Sequence, residues 1–188
     1  MPAIDRLFRR VGCVPRDIGL IAVSIGPGGF TALRVGVTVA KALSLSCGAA
    51  CIGVPTAAAL AARARREGLR GRLAVLLASK GETSHASVFD DDARDAADER
   101  LVDATQVASL GAAAVVADQF LPAAMRAACE RLSIAVLRPH FAAADVLTLG
   151  EGLHAARGPT PIDALGPIYA REPEAVTKWR MLHPDRAP

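Results

Sequence analysis

The chain has 188 residues, of which 52% are hydrophobic and 22% charged, with a net charge of +3. That is enough apolar material for one medium domain or two small lobes, and it excludes global disorder. The charge is too small to indicate a nucleic-acid binder by itself, and aromatics at 4% leave aliphatic side chains to fill the core.

Ile4, Leu7, Phe8 and Val11 recur at helical spacing and predict a helix over Met1 to Val11. Pro15-Arg16-Asp17 ends it and leads into an apolar run, Ile18 to Ile25, that reads as a strand. The run stops at Gly26-Pro27-Gly28-Gly29, and a helix follows from Thr31 to Ser46. Strand, glycine turn and helix present backbone N–H groups at a helix N-terminus, where an anion can sit. Ala49 to Val54 is a short strand, and Pro55-Thr56 opens a helix through Arg66. Arg63, Arg65, Arg66, Arg70 and Arg72 cluster at its end, where the helix dipole favours positive charge. Arg72 to Ala78 and Thr83 to Phe89 are strand-like, and Lys80-Gly81-Glu82 turns them into a hairpin. Asp90 to Arg100 is strongly charged and reads as a solvent loop. Beyond it, Asp103 to Leu110 reads as helix, Ala113 to Val116 as strand and Phe120 to Arg131 as helix. Ile134 to Leu137 reads as strand and Phe141 to Ala156 as a final helix, and the tail from Gly158 is Pro-rich and less ordered. Alternation of this kind favours an α/β sheet.

The helix from Thr31 to Ser46 carries a polar arc of Thr31, Arg34, Thr38 and Lys41, with apolar and small residues over most of the rest. Gly36, Ala40 and Ser44 form a ridge of small side chains that lets another helix approach closely. A helix lying on a sheet needs one apolar stripe, and this one has more. Either it is sandwiched inside its own domain, or its second apolar face meets a partner. On the second reading the partner face comprises Ile4, Leu7, Phe8, Leu33, Gly36, Val37, Ala40, Leu43 and Ser44.

Cys13, Cys47, Cys51 and Cys129 form neither a disulfide framework nor a zinc pattern, and read as reduced thiols of a cytoplasmic protein. The start, MPAIDRLFRR, is amphipathic and charged rather than a signal peptide. No apolar run is expected to span a bilayer, because Arg34 and Lys41 interrupt the best candidate.

IGPGGFTALRVGVTVAKALSL resembles the TsaB-type subunit of the bacterial tRNA threonylcarbamoyladenosine machinery, a relative of the glycoprotease family. Of that family's Gly-Pro-Gly-Ser-Phe-Thr-Gly-Leu-Arg-x-Gly signature, Gly26, Pro27, Gly28, Phe30, Thr31, Leu33, Arg34 and Gly36 match. Gly29 replaces the usual Ser and Ala32 the usual Gly. Gly53-Val54-Pro55-Thr56 resembles the family's next strand-to-helix step, and Lys80 to Phe89 its hairpin, with Ala78 where an Asp is usual. Pro167-Ile168-Tyr169-Ala170-Arg171 resembles its C-terminal Pro-x-Tyr-x-Arg. The resemblance implies an actin/Hsp70-like (ASKHA) two-lobe α/β fold. It implies a first lobe over 1–78 with a return of the C-terminal segment, a second lobe over 79–165, and a tail over 166–188. Family members begin with a phosphate-facing hairpin before the helix seen here at Met1, so the expectation is a first lobe truncated at its N-terminus, with an unpaired apolar edge.

No catalytic machinery is visible. The histidines (His85, His140, His154, His183) lack the helical spacing of a metal pair, and no nucleophile elbow or Walker lysine is present. Peptidase activity has no residues to support it. A phosphate site would draw on the backbone around Gly26, Gly28, Gly29 and Thr31 with Arg34 nearby, against the reading that these glycines only make the turn. The arginine cluster lacks the aromatic interleaving of a nucleic-acid surface. The resemblance implies a non-catalytic scaffold that requires no cofactor of its own. It would pair with a TsaD-type transferase, be joined by a TsaE-type ATPase, and meet tRNA through that complex, away from membranes. The rival reading is an ATP-binding kinase- or ATPase-like enzyme of the same superfamily.

Overall fold

A computed structural model describes residues 2–91, 95–170 and 174–183. The first amphipathic stretch forms α1 (Pro2–Val11), and a 3-10 turn at Pro15–Asp17 leads to β1 (Leu20–Gly26). The chain crosses over through α2 (Phe30–Cys47) to β2 (Ala50–Pro55), which pairs in parallel with β1, Leu20 opposite Ala50 and Ser24 opposite Val54. A parallel pair needs such a crossover. α2 stops at Gly48, which adopts φ 74° and returns its N–H to the Ser44 carbonyl. Among the described residues β1 has a strand neighbour on one side only.

After α3 (Thr56–Arg66) come β3 (Leu73–Ala78), β4 (Ser84–Phe89), β5 (Asp98–Val102) and β6 (Ala114–Ala117), then α4 (Ala123–Arg131), β7 (Ala135–Leu137), α5 (Ala143–Arg157) and α6 (Glu174–Leu182). The second sheet runs β5-β4-β3-β6-β7. Its β3–β4 hairpin and β4–β5 pair are antiparallel, whereas β6 and β7 join β3 in parallel. Leu76, Val88, Val115 and Met125 pack one face of this sheet, and Leu73, Val75 and Phe89 pack the other against α3.

Several sequence expectations change. The charged stretch Asp90 to Arg100 ends in β5, an edge strand whose Arg100 pairs with Asp98 and whose Glu99 accepts the Ser87 hydroxyl at 2.9 Å. Charged side chains suit an exposed sheet edge. Asp103 to Leu110 yields only a 3-10 turn at Val107–Leu110, because the Asp103 carboxylate takes the Thr105 N–H and hydroxyl and bends the chain. The first part of the tail, residues 160–168, is tied down: Thr160 N–H reaches the Cys51 carbonyl at 2.8 Å, Ile168 N–H reaches the Ile25 carbonyl, and Leu165 is 2% exposed. Because β3 lies inside the second sheet, the two sheets divide before Leu73 rather than at 78. α5 returns to the first sheet, where Gly150 meets Ala22 and Ile52. α2, at 18 residues, is long and apolar enough by length and composition to span a bilayer, contrary to expectation. It lies instead on β1 and β2, with Leu33, Val37, Ala40 and Ser44 buried.

Candidate functional site

Gly26 closes β1 with φ 105°, and a Cβ there would stand 2.6 Å from the Ile168 carbonyl oxygen and 2.8 Å from Leu33 Cδ1. This glycine is required by the backbone itself. Gly28 and Gly29 have open surroundings, and Gly29 caps α2 without a side-chain bond.

A cleft of about 620 Å³ opens beside them. Ser24 at the end of β1, Thr56 after β2, Leu77 and Ser79 around the end of β3, and Asp118 after β6 line it, with Phe120 and Phe141 at its side. These are carboxyl ends of parallel strands, the usual place for a ligand in open α/β sheets. Ser24 Oγ and Thr56 Oγ1 share a hydrogen bond of 2.7 Å across its floor. Asp118 accepts the Phe120 N–H at 2.9 Å, and it is the one charged residue among the described residues of the lining. A carboxylate without a cation beside it repels polyphosphates.

Of the sequence-predicted phosphate residues, Gly28 and Gly29 line the cleft, and Gly26, Thr31 and Arg34 do not. Thr31 is exposed on α2. Arg34 turns elsewhere: its Nε donates to the Tyr169 hydroxyl at 2.9 Å, and its guanidinium stacks 4.0 Å above the Phe30 ring. Asp118, Phe120, Phe141, Ser24 and Thr56 were not legible as site residues. For Asp118 the signal was its position directly after a strand-like run.

The expected partner face needs correction. Leu33, Val37, Ala40 and Ser44 are buried inside the chain, Gly36 faces Val23, and Leu43 is half-buried. The small-residue ridge is spent on seating α2 against its own sheet. The large apolar side chains that α2 shows to solvent are Phe30, Val35 and Leu45, the last two 58% and 74% exposed. On α1, Leu7 and Val11 are exposed, Ile4 and Phe8 are half-buried, and no residue is fully buried.

The arginine cluster is engaged internally. Arg63 and Arg66 clasp Asp145, itself 8% exposed, and Arg63 also holds Glu67. Arg65 pairs with Asp91, Arg72 with Asp90, and Arg70 bonds the Arg65 and Leu69 carbonyls. Among the described residues no group of three metal-capable side chains occurs. Burial pushes the Cys51 and Cys129 thiols up and the His85 imidazole down.

The family model described as "TsaD: tRNA N6-adenosine threonylcarbamoyltransferase" matches residues 1–160. The chain is 38% identical over 65 residues to the tRNA threonylcarbamoyladenosine biosynthesis protein TsaB of Bacillus subtilis (strain 168), a match covering 35% of this chain and 28% of that protein. It is 44% identical over 54 residues to a tRNA N6-adenosine threonylcarbamoyltransferase of Anaeromyxobacter dehalogenans (strain 2CP-C), covering 29% of this chain and 16% of that protein. The chain thus spans less than a third of each of these curated relatives. Its fold superposes with a TM-score of 0.70 and 19% identity on a Pseudomonas aeruginosa protein described as similar to peptidase YeaZ, over 90% of this chain and 82% of that one.

Proposed function

The chain belongs to the TsaD family of tRNA N6-adenosine threonylcarbamoyltransferases, as a TsaB-type protein with the actin/Hsp70-like α/β fold, and we propose that it is a non-catalytic docking subunit of the tRNA threonylcarbamoyladenosine machinery. Its partner on this reading is a TsaD-type transferase, with a TsaE-type ATPase joining them and tRNA met through the complex in the cytoplasm.

The observation that carries this reading is α1. Ile4, Leu7, Phe8 and Val11 make one apolar stripe on a ten-residue helix, yet no residue of α1 is buried. A helix this short is marginal in water without something covering its apolar face. The 3-10 turn after α1 packs on α2, whose outward Val35 and Leu45 extend the uncovered apolar surface. The cleft supports the non-catalytic half of the reading, since its one charged lining residue is the anion Asp118. The kinase- or ATPase-like alternative rests on the position of that cleft at the strand ends.

Co-expression with the TsaD-type protein of the same genome, followed by size-exclusion chromatography with light scattering, tests the proposal. A stable heterodimer is expected from the wild-type chain, and Leu7→Arg should abolish it while leaving the circular dichroism unchanged. Failure of the wild-type chain to pair would overturn the reading.

A further inference from the structure

Two stretches of chain meet at an exposed cluster outside the cleft. Arg34 bonds Tyr169 across 135 positions of sequence, its guanidinium carbon lies 4.0 Å over the Phe30 ring centroid, and the Phe30 and Tyr169 rings stand 5.2 Å apart. Phe30 is 46% and Tyr169 36% exposed, so the cluster is presented to solvent rather than consumed by the core. Nε is taken by Tyr169, and among the described residues the two Nη groups have no partner. The ring contact and the Tyr169 hydrogen bond hold the guanidinium in place. What remains is a pre-oriented pair of donors whose geometry matches a carboxylate.

The surroundings indicate where that carboxylate comes from. α2 contains no acidic residue, and the aromatic rings of Phe30 and Tyr169 flank the guanidinium. Residues 1–47 carry six basic side chains against two acidic ones, so the α1–α2 segment is net positive. A phosphate backbone would call for several converging cations, and here, among the described residues, one guanidinium sits against two aromatic rings. An acidic side chain on an otherwise apolar protein surface meets both features.

We propose that Arg34, stacked on Phe30 and tethered by Tyr169, anchors a carboxylate of the protein partner. The proposal rests on the docking-subunit reading and names the polar centre of that interface. Arginine and tyrosine held this way are typical of residues that dominate interface affinity.

The test is the affinity of the full chain for the TsaD-type protein of the same genome, measured by calorimetry. Arg34→Met keeps the apolar stem and removes the donors, and should weaken binding about tenfold or more. Arg34→Lys keeps the charge without the fork and should recover only part of that loss. Tyr169→Phe keeps the ring, frees the guanidinium, and should weaken binding by a smaller factor. Circular dichroism and melting temperature of all three should match wild type. Converting the partner's acidic residues to amides one at a time should reveal one whose effect vanishes in the Arg34→Met background. Unchanged affinity in Arg34→Met would overturn the proposal while leaving the docking reading intact. So would unchanged pairing with weakened retention of bulk tRNA by the complex, which would make the fork a phosphate holder. Absence of wild-type pairing would overturn both.

Discussion

A Cβ placed on Gly150 would stand 2.7 Å from the Cβ of Ala22, and 3.1 Å and 3.3 Å from methyls of Ile52 and Val54. α5 therefore lies closely on the side chains of the first sheet at a point where its own side chain is a hydrogen. Alanine at an exposed helix interior would gain about 1 kcal/mol over glycine. Here overpacking against β1 and β2 costs about 1–3 kcal/mol and wins. Gly150→Ala should lower stability in urea unfolding, and Gly150→Val should lower it further. A Gly150→Ala protein at least as stable as wild type would show that α5 has room to lift.

The two faces of α2 should respond oppositely to substitution. Ala40 is 3% exposed and packs with Cys51 and Leu165, so Ala40→Phe should destabilise the isolated chain by about 1–3 kcal/mol or prevent folding. Val35 is 58% exposed, and Val35→Arg should change stability by no more than about 0.5 kcal/mol while weakening pairing with the TsaD-type protein. Denaturant melts and binding measured on the same two proteins decide it. Loss of pairing without loss of stability in Ala40→Phe would mean that the helix presents its other side.

His85 gives the chain a pH-dependent stability. It is 8% exposed on β4, and burial lowers its pKa against a smaller upward pull from Glu99. The unfolded chain therefore takes up this proton at higher pH than the folded one. Stability should fall as pH drops below about 6.5, the ordinary imidazole value, and the fall should end below the folded-state pKa. The contribution cannot exceed about 1.4 kcal/mol per pH unit, the limit for one proton. Melting temperatures across this range should show a steeper acid loss in wild type than in His85→Leu. Equal slopes would assign the acid sensitivity to other groups.

The cleft makes a prediction about nucleotides. With Asp118 as its charged lining group, the isolated chain should show no saturable ATP binding up to about 1 mM by calorimetry, weaker than about −4 kcal/mol. Micromolar binding would favour the kinase- or ATPase-like alternative.

The strands from β1 to β4, the glycine turn and the helical crossover were legible because their apolar runs are long and their breaks are glycine and proline. β5 was not, since Asp98, Glu99 and Arg100 on a sheet edge have the composition of a loop. The faces of α2 could not be assigned locally either. Both sides are apolar, and only the position of β1 and β2 decides that Val37 and Ala40 turn inward. The Arg34 contact was not legible for a related reason, because Tyr169, which takes its Nε, is 135 positions away. The cleft was invisible for the same cause: Ser24, Thr56 and Asp118 come from three separate strand ends.

α3 belongs to both halves of the molecule. Its Ala59 joins Ile52, Val54 and Leu153 beside the first sheet, while Ala57, Leu60 and Ala64 join Leu73, Val75 and Val116 beside the second. Its last turn is clasped to α5 through Arg63, Arg66 and Asp145. A run of alanines makes this sharing feasible, because a slim cylinder can be gripped from two directions without a gap. Neither half can then melt without stripping a wall from the other. The lobes describe the shape of the chain, while α3 makes their cores share a wall.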